Sequence, residues 1–155
     1  MSGTVRVAVG GTFDPLHDGH KALLAKAFEI GDEVVIGLTS DEMIKGKIIP
    51  LKEYEIRKQN LSGYISSTYS TAATRMHIIQ LQDLFGPAIS QDFDYIVVSP
   101  ESISNAKKIN EIRKGKGMQA ITVVLVDFVL ADDKHPISST RIKNREIDDH
   151  GHLIG

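Results

Sequence analysis

Short apolar runs alternate with stretches of helical periodicity along the whole chain, and this alternation strongly limits what the chain can fold into. The runs are rich in β-branched residues and occupy residues 5–9, 33–39, 76–82, 93–99 and 120–130. The helical stretches between them occupy residues 19–31, about 53–65 and 101–117. Strands that alternate with helices form a layered fold with a mostly parallel sheet. The sequence therefore predicts an α/β fold in which a mostly parallel five-stranded sheet carries helices on both faces.

Length and composition predict one compact domain. The chain has 155 residues, of which 41% are hydrophobic, enough to bury a sizeable core over residues 1–155. The polar residues from about 147 to 155 are expected to form a frayed tail. A short helical turn capped by Ser40 or Asp41 is also expected, and "HPISSTRIKNREI" is expected to form a loop followed by a final helix.

Charge and cysteine content exclude several classes of function. The formal net charge of −2 argues against a partner that is a nucleic acid or a membrane surface, since such partners attract basic proteins. Cysteine is absent, which excludes disulfides, thiolate nucleophiles and cysteine zinc sites. The N-terminus lacks a signal-peptide pattern, and no apolar stretch reaches the roughly 20 residues of a membrane span. A cytoplasmic location is expected.

The stretch "GGTFDPLHDGH" lies between the first predicted strand and the first predicted helix. Gly10 and Gly11 are expected to turn the chain tightly and to let backbone N–H groups approach a ligand. Thr12 adds a hydroxyl to this turn. His17 and His20 lie around the start of the helix, where free N–H groups and the helix dipole attract anions. This combination predicts a site that binds phosphate oxygens.

Two other interpretations of the histidines compete with phosphate binding. Histidines three residues apart can be ordinary surface or core residues, or they can bind a metal together with Asp14 and Asp18. The glycines, the hydroxyl and the histidines occur together directly after a buried strand, which favours phosphate. In open α/β sheets, ligands bind at the carboxyl ends of the strands, where the strand order reverses. Segments that follow strands are therefore expected to form the site, including residues 131–141 near the C-terminus.

The motif resembles the signature of the nucleotidyltransferases that carry an HxGH motif, filled here by His17, Gly19 and His20. Their second signature, of the ISSTR type, is matched by residues 137–141. Within this family the chain is similar to the archaeal pantetheine-phosphate adenylyltransferases, also in "GLTSDEMIK", "YEIRKQNL", "IVVSPES", "NAKKINEIRK" and "DDKHPISSTRI". The resemblance implies a single-domain, Rossmann-like nucleotidyltransferase fold.

The resemblance also implies a reaction. It would transfer the adenylyl group of ATP, accompanied by Mg²⁺, to 4′-phosphopantetheine, giving dephospho-coenzyme A and pyrophosphate. The attacking phosphate has a second pKa near about 6, so it is largely ionised at neutral pH and needs no enzyme nucleophile. Alignment and neutralisation of charge are sufficient. Three alternatives stay open: CTP with glycerol phosphate, ATP with nicotinamide mononucleotide or FMN, and an ATP sensor without turnover.

Individual roles follow from the resemblance. His20 is expected to stabilise the transition state at the α-phosphate, His17 to bind ATP beside it, and Thr12 to position the attacking phosphate. The full set of expected ATP-binding residues is Gly10, Gly11, Thr12, Phe13, His17, His20, Ser138, Ser139, Thr140 and Arg141. The serines of the second motif can also be an ordinary helix N-cap.

The family places a lysine that bridges both substrates' phosphates after the second strand. Lys45 is the preferred catalytic candidate and Lys47 the alternative; either can instead be a solvated lysine. Together with Thr12 and Asp83 they form the expected phosphopantetheine-binding set, although Asp83 can equally be a turn former. Two arginines in predicted helices, Arg57 and Arg113, are further cationic candidates. No residue is assigned as a metal ligand.

Overall fold

The computed structural model describes residues 4–46 and 51–154, and within these ranges five strands form one parallel sheet. The strands are β1 (Arg6–Gly11), β2 (Glu33–Thr39), β3 (Met76–Leu81), β4 (Tyr95–Val98) and β5 (Thr122–Leu125). Their order across the sheet is β3-β2-β1-β4-β5, and every neighbouring pair is parallel. The prediction of a five-stranded parallel sheet is confirmed.

Helices connect the strands as the periodicity predicts. They are α1 (Asp18–Ile30), α2 (Asp41–Ile44), α3 (Tyr54–Thr68), α4 (Ala72–Arg75), α5 (Ile103–Gly115) and α6 (Ser139–Lys143). Ser40 is the N-cap of α2, and its Oγ accepts a hydrogen bond from the backbone N–H of Met43. The periodicity misses α4 and a 3₁₀ turn at Gly86–Ile89, because neither is long enough to show a repeat.

Alternate residues of the strands face opposite sides of the sheet, as the pleat requires. Val34 and Ile36 of β2 belong to a cluster that includes buried residues of α1 and α3. Val35, between them, belongs to a second cluster that includes buried residues of α5. The helices therefore cover both faces of the sheet, as expected.

Two details of the strands differ from the prediction. The long apolar run at 120–130 forms a strand only up to Leu125, because its partner β4 ends at Val98 and the last hydrogen bond joins Val126 N–H to the Val98 carbonyl. Gly10 and Gly11 do not form the tight turn. They belong to β1, in register with residues 37–38. The turn follows them.

The C-terminal residues pack against the fold, so the prediction of a frayed tail is wrong. Ile147 is fully buried and packs with Ala131 and Ile137 in a small apolar cluster. Ile147 also forms an antiparallel bridge with Leu153. Further along, the Asp149 carbonyl accepts a hydrogen bond from the backbone N–H at the start of α1, 3.1 Å away. The polar composition misled the prediction because the segment is held by one buried isoleucine and by backbone hydrogen bonds, which composition does not reveal.

Within the described part of the chain, every helix is too short or too polar to cross a membrane.

The packing of the C-terminal residues predicts an effect of mutation on stability. Ile147→Ala removes a fully buried side chain and should lower the free energy of unfolding by about 2–4 kcal/mol, as other buried Leu/Ile truncations do. Ile154→Ala is the matched control, because Ile154 is 55% exposed and its truncation should change stability by less than about 0.5 kcal/mol. Urea unfolding monitored by circular dichroism measures both. Equally small effects would show that the tail is not part of the cooperative unit.

Candidate active site

The candidate site lies at the carboxyl ends of the strands, beside β1. β1 pairs with β2 on one side and with β4 on the other, so the strand order reverses there, which is where open α/β sheets bind ligands. A cleft of about 950 Å³ opens at this point. It is lined by predicted site residues from both ends of the chain: Gly10, Gly11, Thr12, His17, Gly19, His20, Ser138, Ser139 and Thr140. The two sequence motifs therefore share one cleft.

The start of α1 holds both imidazole rings by their Nδ1 atoms. His17 is the N-cap of α1, and its Nδ1 accepts hydrogen bonds from the backbone N–H groups of Gly19 at 3.0 Å and of His20 at 3.4 Å. The Nδ1 of His20 accepts in return from the backbone N–H of His17 at 3.4 Å. The rings stack with their centroids 3.8 Å apart. This reciprocal capping box fixes both rings side by side.

Both imidazoles are neutral at physiological pH. Burial lowers the pKa of His17 from 6.5 to about 4, although the charges of Asp18 and Asp149 oppose this. Burial, followed by the neighbouring His17, lowers the pKa of His20 from 6.5 to about 3. Because each Nδ1 is a hydrogen-bond acceptor, the single ring proton of the neutral form lies on Nε2. Each ring therefore offers one N–H donor, which suits a phosphate oxygen.

Gly19 and Phe13 determine where the imidazole rings lie. A Cβ atom at Gly19 would lie 2.8 Å from Cε1 and 3.0 Å from Nδ1 of His17, which is closer than van der Waals contact. Phe13 is 2% exposed and lies against His20, with ring centroids 4.9 Å apart. Its φ of 52° is a left-handed conformation that costs a residue other than glycine roughly 1–2 kcal/mol, and burial of its ring offsets this cost. The buried Phe13 ring thus supports the imidazole of His20 by packing against it.

The second motif lies at the start of α6. Ser138 is the N-cap of this helix, and its Oγ accepts a hydrogen bond from the Arg141 backbone N–H at 3.2 Å. Ser139 and Thr140 follow in the first turn and line the cleft, as does Lys143 one turn later. The ordinary capping role therefore applies to the hydroxyl of Ser138.

A buried carboxylate joins the front motif to the rear motif. Asp14 is 2% exposed, and its Oδ1 lies 3.4 Å from the Nζ of Lys143 and 3.8 Å from the Nζ of Lys52. Its Oδ2 accepts a hydrogen bond from the backbone N–H of Lys52 at 2.6 Å. Asp14 therefore holds α6 against the loop that precedes the histidines.

Arg141 is directed at the loop before α6. Its guanidinium forms an ion pair with Asp133, pairs with Glu146 at 3.2 Å and donates to the Pro136 carbonyl at 3.1 Å. The hydrogen bond from Arg141 lowers the pKa of the Asp133 carboxyl. These contacts fix the loop that carries Ser138. The structure thus engages Arg141 in shaping the second motif.

Two residues expected to bind phosphopantetheine, Lys45 and Asp83, are not among those that line the cleft. Lys45 is exposed at the end of α2, between Ile44 and Gly46, which line the cleft. The Oδ1 of Asp83 accepts hydrogen bonds from two backbone N–H groups, at residues 85 and 86, each at 2.8 Å. Asp83 is thus engaged as a turn former. Lys47 lies outside the described residues.

Two arginines expected in helices are buried, which composition alone did not indicate. Arg57 is 1% exposed and Arg113 is 2% exposed. Arg113 donates to the carbonyls of Ala88, Gln91 and Gln119 at 2.7–2.8 Å, so it ties α5 to neighbouring backbone. Arg57 lies behind the cleft and donates to the carbonyls of Lys52 at 2.7 Å and Thr12 at 3.4 Å.

A family model described as cytidylyltransferase-like matches residues 8–145. The chain belongs to this family. The phosphopantetheine adenylyltransferase of Methanosarcina mazei is 49% identical over 96% of this chain and 96% of that protein. That of Archaeoglobus fulgidus is 42% identical over 97% of this chain and 100% of that protein. A solved structure from Archaeoglobus fulgidus, described as a protein with unknown function, has a TM-score of 0.73 and 39% identity, covering 79% of this chain and 90% of that chain. The resemblance inferred from the motifs is confirmed.

In this cytidylyltransferase-like chain, the residues proposed for the alternative metal site are engaged elsewhere. Asp14 pairs with lysines, and the Asp18 carboxylate accepts a hydrogen bond of 2.9 Å from the Nδ1 of His150, a contact that raises the pKa of His150. Across residues 4–46 and 51–154, no group of three or more histidine, aspartate or glutamate side chains is arranged to hold a metal ion. The arrangement favours the binding of an anion.

Three residues of the site were missed or misjudged from the sequence. Lys143 lines the cleft, and the signal that could have revealed it is its spacing of four residues from Ser139 on one helix face. Thr39 ends β2 and also lines the cleft. Arg57, a cationic candidate from the sequence, is instead buried behind the cleft, and a sequence carries no signal that a helical arginine will be buried.

The lowered pKa values predict a pH dependence of stability. Between pH 6.5 and about 4, unfolded histidines bind protons that the folded His17 and His20 do not bind, so the free energy of unfolding should fall as the pH is lowered. His17→Asn keeps an N-cap acceptor but removes one titrating group. Its dependence on pH should be shallower than that of the wild type by up to about 1.4 kcal/mol per pH unit.

Urea unfolding at pH 8, 7, 6 and 5 measures this difference. At pH 8 the histidines are neutral in both states, so the difference between the proteins there reports capping and packing alone. Parallel pH curves for the two proteins would contradict the lowered pKa of His17.

Proposed function

We propose that this protein transfers the adenylyl group of ATP to 4′-phosphopantetheine. An oxygen of the acceptor phosphate attacks the α-phosphorus of ATP, the bond from that phosphorus to the bridging oxygen of the β-phosphate breaks, and pyrophosphate leaves. The products are dephospho-coenzyme A and pyrophosphate. The reaction needs alignment of two polyanions and neutralisation of developing charge, and no protein nucleophile.

One observation carries the proposal: the histidine motif and the hydroxyl-rich motif line the same cleft at the reversal of strand order. The sequence separates these motifs by most of the chain, so only the fold brings them together. The archaeal relatives named phosphopantetheine adenylyltransferase match this chain over 96–97% of its length. The volume of the cleft, about 950 Å³, is at the upper end of the range for small-molecule sites.

In this proposal the front motif acts on the reacting phosphates. His20 donates its Nε2–H to the α-phosphate and stabilises the charge that develops there, and His17 binds ATP phosphate beside it. Both rings are suited to this role because burial keeps them neutral donors that are fixed before the substrate arrives. Thr12 binds the phosphate of the acceptor. Gly10 and Gly11 line the cleft beside it and bind ATP in this proposal.

The rear motif holds the leaving pyrophosphate. Ser139 and Thr140 offer hydroxyl groups from the first turn of α6, and the Lys143 ammonium lies on the same helix. Lys45, on the rim, is the described candidate that bridges the phosphates of both substrates, with Lys47 as its alternative. Arg141 contributes through the loop it fixes.

The magnesium ion enters with ATP in this proposal. Mg²⁺ in phosphoryl-transfer sites is commonly held by substrate phosphates and water with few protein ligands, and the described residues form no cage of three carboxylate or imidazole ligands. The ion is therefore part of the Mg·ATP substrate. Because ATP is the donor, a cytoplasmic location follows from the proposal.

The direct test supplies the purified protein with Mg·ATP and 4′-phosphopantetheine. We expect release of pyrophosphate and a product with the mass of dephospho-coenzyme A. Glycerol phosphate with CTP, and nicotinamide mononucleotide or FMN with ATP, are the comparison reactions. Turnover only with one of these acceptors would redirect the proposal, and ATP binding without pyrophosphate release from any acceptor would indicate a sensor.

Within the same assay, His20→Ala should lower kcat by about 10²–10³-fold, the loss typical when one donor to developing negative charge is removed. His77→Ala is the matched control, because His77 is exposed on β3 at 56% of its side chain and lies outside the cleft. A normal kcat in the first variant would remove His20 from the reaction.

Gly19→Ala tests the space between the imidazoles. The added methyl group would displace the His17 ring, and a misplacement of this size should lower kcat by about 10- to 100-fold. Gly63→Ala is the control, because its Cβ would meet nothing within 4 Å in the interior of α3, and it should raise stability by about 0.5–1 kcal/mol without altering kcat. Equal kcat values for both variants would show that the ring of His17 is not critically placed.

A further inference from the structure

A chain of three polar side chains runs from the interior of the fold to the cleft. It begins at the guanidinium of Arg57 on α3, passes through the hydroxyl of Thr39 at the end of β2, and ends at the hydroxyl of Thr12. The Arg57 Nη1 lies 3.2 Å from the Thr39 Oγ1, which lies 3.0 Å from the Thr12 Oγ1. Thr12 lines the cleft, and Arg57 is buried behind it.

The guanidinium of Arg57 is held in place on several sides. Its Nε donates to the Lys52 carbonyl at 2.7 Å, and its Nη2 forms an ion pair with the Asp41 carboxylate at 3.1 Å. Its Nη1 is shared between the Thr12 carbonyl at 3.4 Å and the Thr39 hydroxyl. The side chain has no exposed surface. An arginine fixed in this way acts as a rigid donor beneath the loop.

The hydrogen bonds that link these three side chains run in one direction, because arginine has donors and no acceptor. The Thr39 Oγ1 must therefore accept from Arg57, and the geometry makes Thr39 the donor to the Thr12 Oγ1. A hydroxyl group has one proton. The Thr12 Oγ1 accepts from behind, so its own proton remains available to donate to something else. The chain thus presents Thr12 to the cleft as a hydrogen-bond donor.

We infer that Arg57 and Thr39 are positioning residues that set the Thr12 hydroxyl as a donor to an anionic oxygen of the acceptor substrate. The inference rests on the proposed function, in which that oxygen belongs to the phosphate of 4′-phosphopantetheine. A donor aligned before binding loses little freedom when the phosphate arrives. A hydroxyl that was free to rotate would spend part of its time accepting, which does not help an anion.

Arg57 also connects α3 to the ends of two strands, so loss of the arginine can lower stability without any specific effect on the phosphate. The test therefore rests on Thr39, whose replacement by valine keeps the size and branching of the side chain and removes only the hydroxyl. Thr39→Ser restores the hydroxyl and serves as the rescue variant.

The experiment measures three constants for each variant: KM for 4′-phosphopantetheine, KM for ATP, and the inhibition constant of pantetheine, which lacks the phosphate, as a competitor of the acceptor. For Thr39→Val we expect KM for 4′-phosphopantetheine to rise by about tenfold, the size of a weakened hydrogen bond to a charged group. KM for ATP and the inhibition constant of pantetheine should stay within about twofold of wild type, and Thr39→Ser should return all three to about wild-type values.

Arg57→Lys and Arg113→Lys form a matched pair of buried arginines on opposite faces of the sheet. Both should lose stability in urea, because lysine cannot replace the fork of donors. Only Arg57→Lys should raise KM for 4′-phosphopantetheine selectively, and combining it with Thr39→Val should add little to the effect of either change alone. If Arg57→Lys fails to fold, the Thr39 series decides the question.

The outcomes separate the inference from the proposed function. A wild-type protein that makes no dephospho-coenzyme A overturns the proposed function and this inference with it. An active wild type in which Thr39→Val leaves KM for 4′-phosphopantetheine unchanged overturns the inference alone. The inference also fails if Thr39→Val weakens pantetheine and its phosphorylated form equally, because the hydroxyl would then shape the pocket and not the phosphate contact.

Discussion

The central position of β1 is the constraint on which the rest of the site depends. β1 pairs with β2 on one side and with β4 on the other, and the helices that follow β1 and β4, α1 and α5, pack on opposite faces of the sheet. The loop from Thr12 to His17 leaves the carboxyl end of β1 and turns into α1 beside the cleft. The parallel pairing thus determines where the cleft lies, and the side chains around it determine which ligand binds.

Three polar side chains at the front of the cleft share one feature. The acceptor atom of each side chain already accepts a hydrogen bond from another group of the protein. Backbone N–H groups at the start of α1 take the Nδ1 atoms of His17 and His20, and Thr39 takes the oxygen of Thr12. What remains on each of these side chains is a donor. Because burial also keeps the imidazoles neutral, the front of the cleft attracts anions through aligned N–H and O–H groups, and the Lys143 ammonium on α6 pairs with the Asp14 carboxylate.

Periodicity predicts the strands and the layers because the pattern of buried residues is visible in the sequence of each segment alone. Periodicity predicts too long a strand at β5, since residues 126–130 are mostly apolar although the partner strand has ended. Pro100, just beyond that partner strand, has no N–H to continue the ladder. The imidazole pair is predictable for the same reason as the strands, because a helix start is local. The burial of Arg57 is not predictable in this way. Its partners lie on other elements, so only the packing reveals that this arginine is buried.

α6 shows why the C-terminal residues belong to the site. A helix of five residues is not stable by itself, so the position of its hydroxyl groups must come from contacts outside it. The apolar cluster around Ile147 holds one side of this segment, and the Asp14 carboxylate holds Lys143 on the other. The following residues reach back to the start of α1, where the Asp149 carbonyl accepts from the Asp18 N–H. The C-terminal residues therefore contact the start of the helix that carries the first motif. The distance between the imidazoles and the hydroxyl groups is set by these few contacts, so loosening the tail would alter the geometry of the cleft as well as the stability of the fold.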